Sequence, residues 1–543
     1  MAGDPYCGKV DMRIIMNHQA PPGAEASQTM PEPRTAHRTA FVLCLLVVAS
    51  YKPASICAAN VVGVPHPERL ILVAVAVWLI ALAAWLVAVR VGGRESTALV
   101  STYVGLFLIV NAGLVAANLG TALTLGMCAA ATVAVGMLVS RIASHNLILG
   151  AVVVFSVFLI TGPIVDLLDS YMSYDRSSSY NQPGRLMAEF TDRPDIWLVV
   201  LDGYAGNSLY RADGLEEESP SILPGLESVG FTTFRSAYAS YPTSVASIAS
   251  ILDITYVLED GAVLDESSVR DLYGVIGGES RFVDVLDRNG YTTTMLESGW
   301  SGSQCGTQFD NCIPSSFLDE AMFKFAEQTI LRDVTLDLWG HAFTSGSRGT
   351  MSWMLENASK LNDDGTPDFV FAHVMSPHPP FLLDRRCELR RDVDSISLAF
   401  IAPDTSLDQQ VDGYRQQVAC LDEFMMEFAQ QVDDDSLIIY VSDHGTDRRG
   451  QVAKEQSEWT HEDLEERMNV LLAMRYPGSC SIADGLVTPS VLHRVLTCLD
   501  PDLKTSGVFG MSRMFIYSSL SSAPNIVVEL PYATTERLIG PTD

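Results

Sequence analysis

The sequence predicts an α-helical transmembrane bundle followed by an α/β domain with a largely parallel central sheet. Two observations carry this reading. From about Thr39 to Val165 the chain is almost free of charge, whereas the remainder has the mixed composition of a water-soluble protein. In that remainder three short apolar runs, Ile196–Asp202, Phe369–Val374 and Leu437–His444, are rich in β-branched and aromatic residues. Such runs read as strands buried on both faces, as in a parallel sheet. Each carries a metal-ligand residue at or near its end: Asp202, His373, and the pair Asp443-His444. Ligands of open α/β sheets collect beyond the carboxyl ends of the strands. Three such ends would converge hard anionic and imidazole ligands on one spot, which points to a metal site and to an enzyme.

The membrane part is read from length and charge. The chain has 543 residues, 48% of them hydrophobic, and its mean hydropathy of +0.19 averages two unlike halves. Residues 1–38 are polar and rich in Pro, Ala and Gly, and read as a disordered cytoplasmic tail. Residues 39–165 form the anchor, with spans expected near Thr39–Val64, Leu70–Val89, Ala98–Asn118, Thr121–Ser140 and Asn146–Val165, each near the roughly 20 residues a bilayer requires. The first is the weakest, because Lys52-Pro53 interrupts it. Arg34 and Arg38 precede the first span, Arg90 and Arg94 follow the second, and Arg141 follows the fourth, whereas Asp166 and Asp169 follow the fifth. The positive-inside rule then keeps the N-terminus in the cytoplasm and puts everything beyond the fifth span outside. The expectation is a multi-pass protein of the cell membrane with an extracytoplasmic catalytic domain. Few ionisable residues fall inside the spans, which argues against a transporter. Residues 166–193 read as a linker and 194–543 as the soluble domain.

A net charge of −30 repels nucleic acid, whose binding needs a basic footprint, so no nucleic-acid partner is expected. Six of the ten cysteines, Cys305, Cys312, Cys387, Cys420, Cys480 and Cys498, lie in the soluble half. An even set outside the membrane suits three disulfides, with Cys305 and Cys312 as the safest pair. The alternative is six free core thiols. No pair has CxxC spacing, which disfavours a zinc knuckle.

One further segment carries chemistry. Tyr241-Pro242-Thr243-Ser244 closes an extended stretch and leads into a run of small and apolar residues that reads as a helix. Hydroxyls at a helix start are either ordinary N-caps or nucleophiles whose phosphorylated form the helix terminus holds. Local evidence alone favours the cap.

Taken in order, Asp202, the helix-start hydroxyl, the turn Ser376-Pro-His378-Pro-Pro-Phe381 and Ser442-Asp443-His444-Gly445 resemble the alkaline phosphatase superfamily. The resemblance is to its membrane-anchored, sulfatase-like branch, which includes lipoteichoic acid synthases and phosphoethanolamine transferases. It spans roughly Pro194 to Pro477 and includes Leu223–Phe231 and Phe282–Tyr291. The resemblance implies an alkaline-phosphatase-like fold in which Asp202, Asp443 and His444 ligate a divalent metal. His378 would contact phosphoryl oxygens or a second metal, and His461 would sit where relatives often carry a further histidine. Relatives place the nucleophile two residues after a proline. That position is Ser244, the first candidate, while their threonine is matched by Thr243, the second. His373 reads as a strand histidine bonded within the core, with a ligand role as the alternative.

Nitrogen, carboxylate and hydroxyl ligands suit zinc or manganese, as one or two ions, better than calcium. The implied reaction is transfer of a phosphoryl-alcohol group from a membrane lipid donor to an envelope glycan or lipid acceptor through a covalent Ser/Thr phospho-enzyme. Sulfatases of this fold carry a C/S-x-P-x-R signature, and no Arg follows Pro242 at that spacing, which disfavours sulfate-ester hydrolysis. Thr446-Asp447 also departs from the Glu-Ser that transferases often show after Asp-His-Gly. Phosphodiesterase, phosphatase or sulfatase-like hydrolysis, and a non-catalytic envelope scaffold, are the alternatives. The stretch after Ser479 reads as closing strands and a short helix without chemistry.

Overall fold

In the computed structural model the described residues are 33–59, 66–90, 95–112, 121–142, 144–173, 179–206, 221–315, 319–329, 346–361, 365–390, 406–478, 486–503, 512–517 and 525–539, with 115 in addition and 182 excepted. The first part is helical: α1 (Pro33–Ala59), α2 (Pro67–Arg90), α3 (Glu95–Val110), α4 (Thr121–Ile142) and α5 (His145–Ser173). Among the described residues, the stretches His37–Ala58, Glu68–Arg90, Ala122–Val139 and Asn146–Leu168 are long and apolar enough to cross a bilayer, and Thr97–Val110 is a shorter apolar helix. The chain is that of a membrane protein. The first expected span is one helix that runs through Pro53, and α5 continues past the expected end at Val165 to Ser173. Inward, Phe41, Leu45, Trp85, Leu99 and Tyr103 pack together, and the Tyr103 and Ser156 hydroxyls hydrogen-bond at 2.9 Å. Outward, Ile80 and Phe158 stand exposed, as faces that meet lipid do. Most of the expected tail, residues 1–32, lies outside the described residues.

The second part is built on strands β1 (Ile196–Leu201), β2 (Thr232–Thr233), β3 (Ala237–Tyr238), β4 (Thr292–Leu296), β5 (Asn311–Ile313), β6 (Asp368–Val374), β7 (Leu437–Ser442), β8 (Leu472–Arg475), β9 (Leu486–Val487), β10 (Phe515–Ile516) and β11 (Val528–Glu529). Seven of them form one sheet in the order β2-β8-β7-β1-β6-β4-β5. β7, β1, β6, β4 and β5 are parallel, while β8 and β2 run antiparallel to their neighbours. The three runs singled out by composition are its adjacent central strands. All six residues of β1 are buried, because alternate side chains enter two different cores. Ile196, Leu198 and Val200 face the core under α6 (Ser244–Leu252) and helices 266–276, 281–288 and 489–499. Trp197, Val199 and Leu201 face the core under a long helix whose Leu421, Phe424 and Phe428 fill it. Trp197 meets Phe428 edge to face, with ring centroids 4.8 Å apart.

Three further helices bear on the site or its support: α7 (Glu320–Glu327), α8 (Leu407–Gln431), which is the long helix of the second core, and α9 (His461–Met468). A capping box at Ser406 and Gln409 starts α8. Cys305–Cys312 and Cys387–Cys420 are disulfides, as the even soluble set predicts. Cys498 is disulfide-bonded as well, and Cys480 lies outside the described residues. Cys44, Cys57 and Cys128 of the membrane part are free.

On α8, Asp422 accepts a hydrogen bond from the Tyr204 hydroxyl at 2.5 Å, and burial pushes its carboxyl up to about 7. The folded chain therefore holds a proton that the unfolded chain releases near 3.8. This stability is present below the unfolded value and is lost as pH rises through about 7. Asp422→Asn is expected to gain melting temperature relative to wild type between pH 5 and pH 8, measured by thermal denaturation. A difference independent of pH would contradict this.

Candidate metal and nucleophile site

The parallel register sets the site. Leu201 pairs with Val374 on one side and with Ser442 on the other, so Asp202 and Asp443 emerge side by side where the strands end. Gly203 follows with φ +75, a left-handed turn that glycine adopts without steric cost. Its N–H donates to Asp443 Oδ1 at 3.1 Å. A side chain at Gly445 would collide with the Glu466 carbonyl at 2.1 Å, so the Asp-His-Gly turn packs directly on the C-terminal end of α9.

Asp202, Asp443 and His444 are buried. His444 Nδ1 donates to the Gly445 carbonyl at 2.9 Å, which leaves the Nε2 lone pair facing inward. Nε2 lies 3.1 Å from Ser244 Oγ, 3.4 Å from Asp443 Oδ2 and 3.7 Å from Asp202 Oδ1. Burial, with the positive Arg467 nearby, pushes the His444 pKa down to about 4, so the ring is neutral at pH 7. Burial pushes the Asp202 carboxyl up, but His378, His373 and His444 outweigh it and hold the group below the usual carboxylate range.

His373 is bonded within the core through Nδ1, which lies 3.5 Å from the buried Ser298 hydroxyl, while its other nitrogen faces the cluster. It is fully buried, and its Nε2 stands 3.4 Å from Asp202 Oδ2 without a hydrogen-bond partner. The residue before it pairs with the residue that is two before the end of β1, so strand register carries its ring to the cluster. Asp202, His373 and Asp443 each offer an atom within 4.8 Å of the others. Asp202 Oδ1 and Asp443 Oδ2 are likewise buried without hydrogen-bond partners. Buried polar atoms without partners are costly, and a divalent cation satisfies all three at once. The donor set fits such an ion.

Thr243 and Ser244 part company. Thr243 is the N-cap residue of α6, yet its side chain makes no capping bond. Its hydroxyl pairs instead with the Tyr517 hydroxyl at 2.6 Å. Ser244, the first helical residue, points its hydroxyl at His444. The ordinary-cap reading is therefore not what the structure forms. His378 is half-buried between the cis peptides Ser376-Pro377 and Pro379-Pro380. Its Nδ1 donates to the Pro379 carbonyl at 2.6 Å, and its ring centroid lies 6.2 Å from that of His444. His461 starts α9 with its side chain 61% exposed beside Glu465, and the structure does not bring it to the cluster.

Sequence reasoning missed two supports. Arg467 Nε donates to the Pro242 carbonyl at 2.7 Å and Nη1 to the Gly445 carbonyl at 3.1 Å, which ties the Ser244 turn to the Asp-His-Gly turn. Tyr517 comes from the C-terminal stretch read as free of chemistry. No local motif marks either residue. Asp443→Ala and His373→Ala are expected to weaken zinc or manganese binding by at least the ~10- to 100-fold that outer partners of a metal ligand carry, while His461→Ala leaves it unchanged. Titration calorimetry checks this, and a reversed order of effects would refute the assignment.

Solved structures similar to the chain include the C-terminal periplasmic domain of EptC from Escherichia coli in complex with zinc. It is 11% identical, with 66% of this chain and 97% of that one covered and a TM-score of 0.39. The integral membrane lipooligosaccharide phosphoethanolamine transferase A from Neisseria meningitidis is 11% identical, with 84% and 95% covered and a TM-score of 0.38. A phosphonate monoester hydrolase of Agrobacterium radiobacter is 14% identical, with 53% and 68% covered and a TM-score of 0.34. No curated protein sequence matches the chain. Residues 194–479, more than half of the chain, match the Sulfatase family, and the protein is therefore a membrane-anchored enzyme of that family, within the alkaline phosphatase superfamily.

Proposed function

We propose that the enzyme transfers a phosphoryl-alcohol group from a membrane lipid donor to an envelope glycan or lipid, with Ser244 as the covalent nucleophile. The observation that carries this reading is the Ser244 hydroxyl at 3.1 Å from His444 Nε2, on the rim of a buried carboxylate–histidine cluster. A divalent ion held by Asp202, Asp443 and His444, with His373 beside them, would lower the pKa of a serine hydroxyl and offset charge on phosphoryl oxygens. Zinc or manganese suits this set of nitrogen and carboxylate donors. The first turn of α6 presents backbone N–H groups and its dipole to the phosphoryl group, and His378 contacts the phosphoryl oxygens from the rim.

Ser244 Oγ forms a bond to phosphorus while the bond from phosphorus to the lipid alkoxide breaks, and the hydroxyl proton leaves with that alkoxide. An acceptor alcohol then attacks phosphorus, the bond from phosphorus to Ser244 Oγ breaks, and the acceptor's proton passes to Ser244 Oγ. The family name does not fix the ester, and the missing C/S-x-P-x-R signature supports phosphorus over sulfur. Membrane anchoring favours a lipid donor. An extracytoplasmic site is supported by the α1–α2 end, which meets α7 of the catalytic part. That contact puts Arg38 and Arg90 at the opposite ends of their helices, where the positive-inside rule wants them.

The test is turnover by the full-length protein in detergent with a mixed phospholipid extract and an envelope glycan fraction. Ser244→Ala is expected to lose roughly 10³-fold or more in kcat. Thr243→Val, which loses one hydroxyl pair worth about 0.5–1.5 kcal/mol, keeps activity within about tenfold. Release of headgroup without acceptor would make the enzyme a hydrolase, and full activity in Ser244→Ala would overturn the nucleophile.

A further inference from the structure

Residues 297–303, which follow β4, hold none of the proposed metal ligands, yet they pack against His373, which stands beside those ligands. The Trp300 ring stands edge-on to the His373 ring at 5.3 Å between centroids, and Ser298 Oγ lies 3.5 Å from His373 Nδ1. Where this loop stands therefore sets where the His373 ring stands. The loop is in turn braced by α7. Glu320 Oε2 accepts from Ser301 N at 3.0 Å and Ser301 Oγ at 2.6 Å, and Glu320 N donates to the Gly299 carbonyl at 3.1 Å.

Both braces are gripped from the membrane part. His66, immediately before α2, brings Nε2 to 2.9 Å from Glu297 Oε2. Arg69 Nη1 donates to Asp319 Oδ2 at 3.0 Å, and Asp319 is the N-cap of α7. Both carboxylates are buried, so each basic side chain answers a group that water does not reach. Hydrogen bonding to Glu297 raises the His66 pKa. Beside these pairs, Ile56 and Leu70 pack on Ala321, Met322, Phe325 and Ala326 of α7.

We propose that His66 and Arg69, at the N-terminal end of α2, are positioning residues for the metal site, acting through residues 297–303 and Trp300 on His373. The proposal rests on the metal-dependent reading above. The anchor is thereby part of the active-site architecture and more than a tether.

The experiment is titration of full-length protein in detergent with zinc ions, with thermal melting to confirm folding. His66→Ala and Arg69→Ala are each expected to weaken zinc binding about tenfold, the low end for outer partners of a metal ligand. His66→Gln, which keeps an N–H for Glu297, restores the affinity. Trp300→Leu, which leaves His66 and Arg69 untouched, reproduces the loss. Lys52→Ala removes the contact of Lys52 Nζ with Gln328 Oε1 at 3.0 Å, at the far end of α7, and leaves zinc binding unchanged. Wild-type affinity in folded His66→Ala and Arg69→Ala, or an equal loss in Lys52→Ala, would overturn the proposal while leaving the site reading intact. A wild type that binds no zinc would overturn both.

Discussion

Two carboxylates, Asp202 and Asp443, are buried side by side at the ends of adjacent parallel strands, and much of the catalytic part is arranged around that juxtaposition. Like charges removed from water repel and are poorly solvated, at a cost of several kcal/mol per uncompensated group. Part of the charge is met by backbone N–H groups, since Gly203 and His444 both donate to Asp443 Oδ1. The oxygens that remain, Asp202 Oδ1 and Asp443 Oδ2, face His444 and have no hydrogen-bond partner. Such an arrangement is costly as it stands and fits half of a metal site.

The proposed nucleophile follows from the same geometry. α6 starts where Arg467 fastens Pro242 to the Asp-His-Gly turn, and Ser247 Oγ donates to the Asp443 carbonyl at 2.5 Å. Two adjacent hydroxyls at a helix start point in directions about 100° apart. One is consumed by Tyr517, and the other is delivered to the cluster. The proposed preference for Ser244 over Thr243 thus rests on helical rotation combined with a tyrosine contributed from the far end of the chain.

How much of this was legible beforehand depended on the range of the interactions. Buried strands announce themselves by composition, because a strand covered on both faces has no position for a charge. For that reason Asp202 and Asp443 stood out as charges just past the ends of the apolar runs. His373 lies inside such a run, where a bonded core histidine and a ligand have the same local sequence. Only the pairing of β6 with β1, set by distant segments, brings its ring to Asp202. Arg467 and Tyr517 were invisible for the same reason, as was the grip of His66 and Arg69 on the catalytic part. His461 shows the reverse error: its place in a family pattern suggested a ligand, but it begins a helix whose other end, about 9 Å further along, carries Arg467 into the site. Four of the five expected spans reappear among the described residues as helices long and apolar enough to cross a bilayer, whereas the third is the shorter apolar helix Thr97–Val110 and the last runs longer than expected.

The most direct measurement is anomalous diffraction at the zinc edge from crystals of the protein grown with zinc. The account predicts a peak bounded by Asp202, Asp443 and His444, within reach of Ser244 Oγ and with His373 against it. An ion found only elsewhere, or a well-ordered cluster that excludes zinc and satisfies its carboxylates without any cation, would contradict the account at its centre.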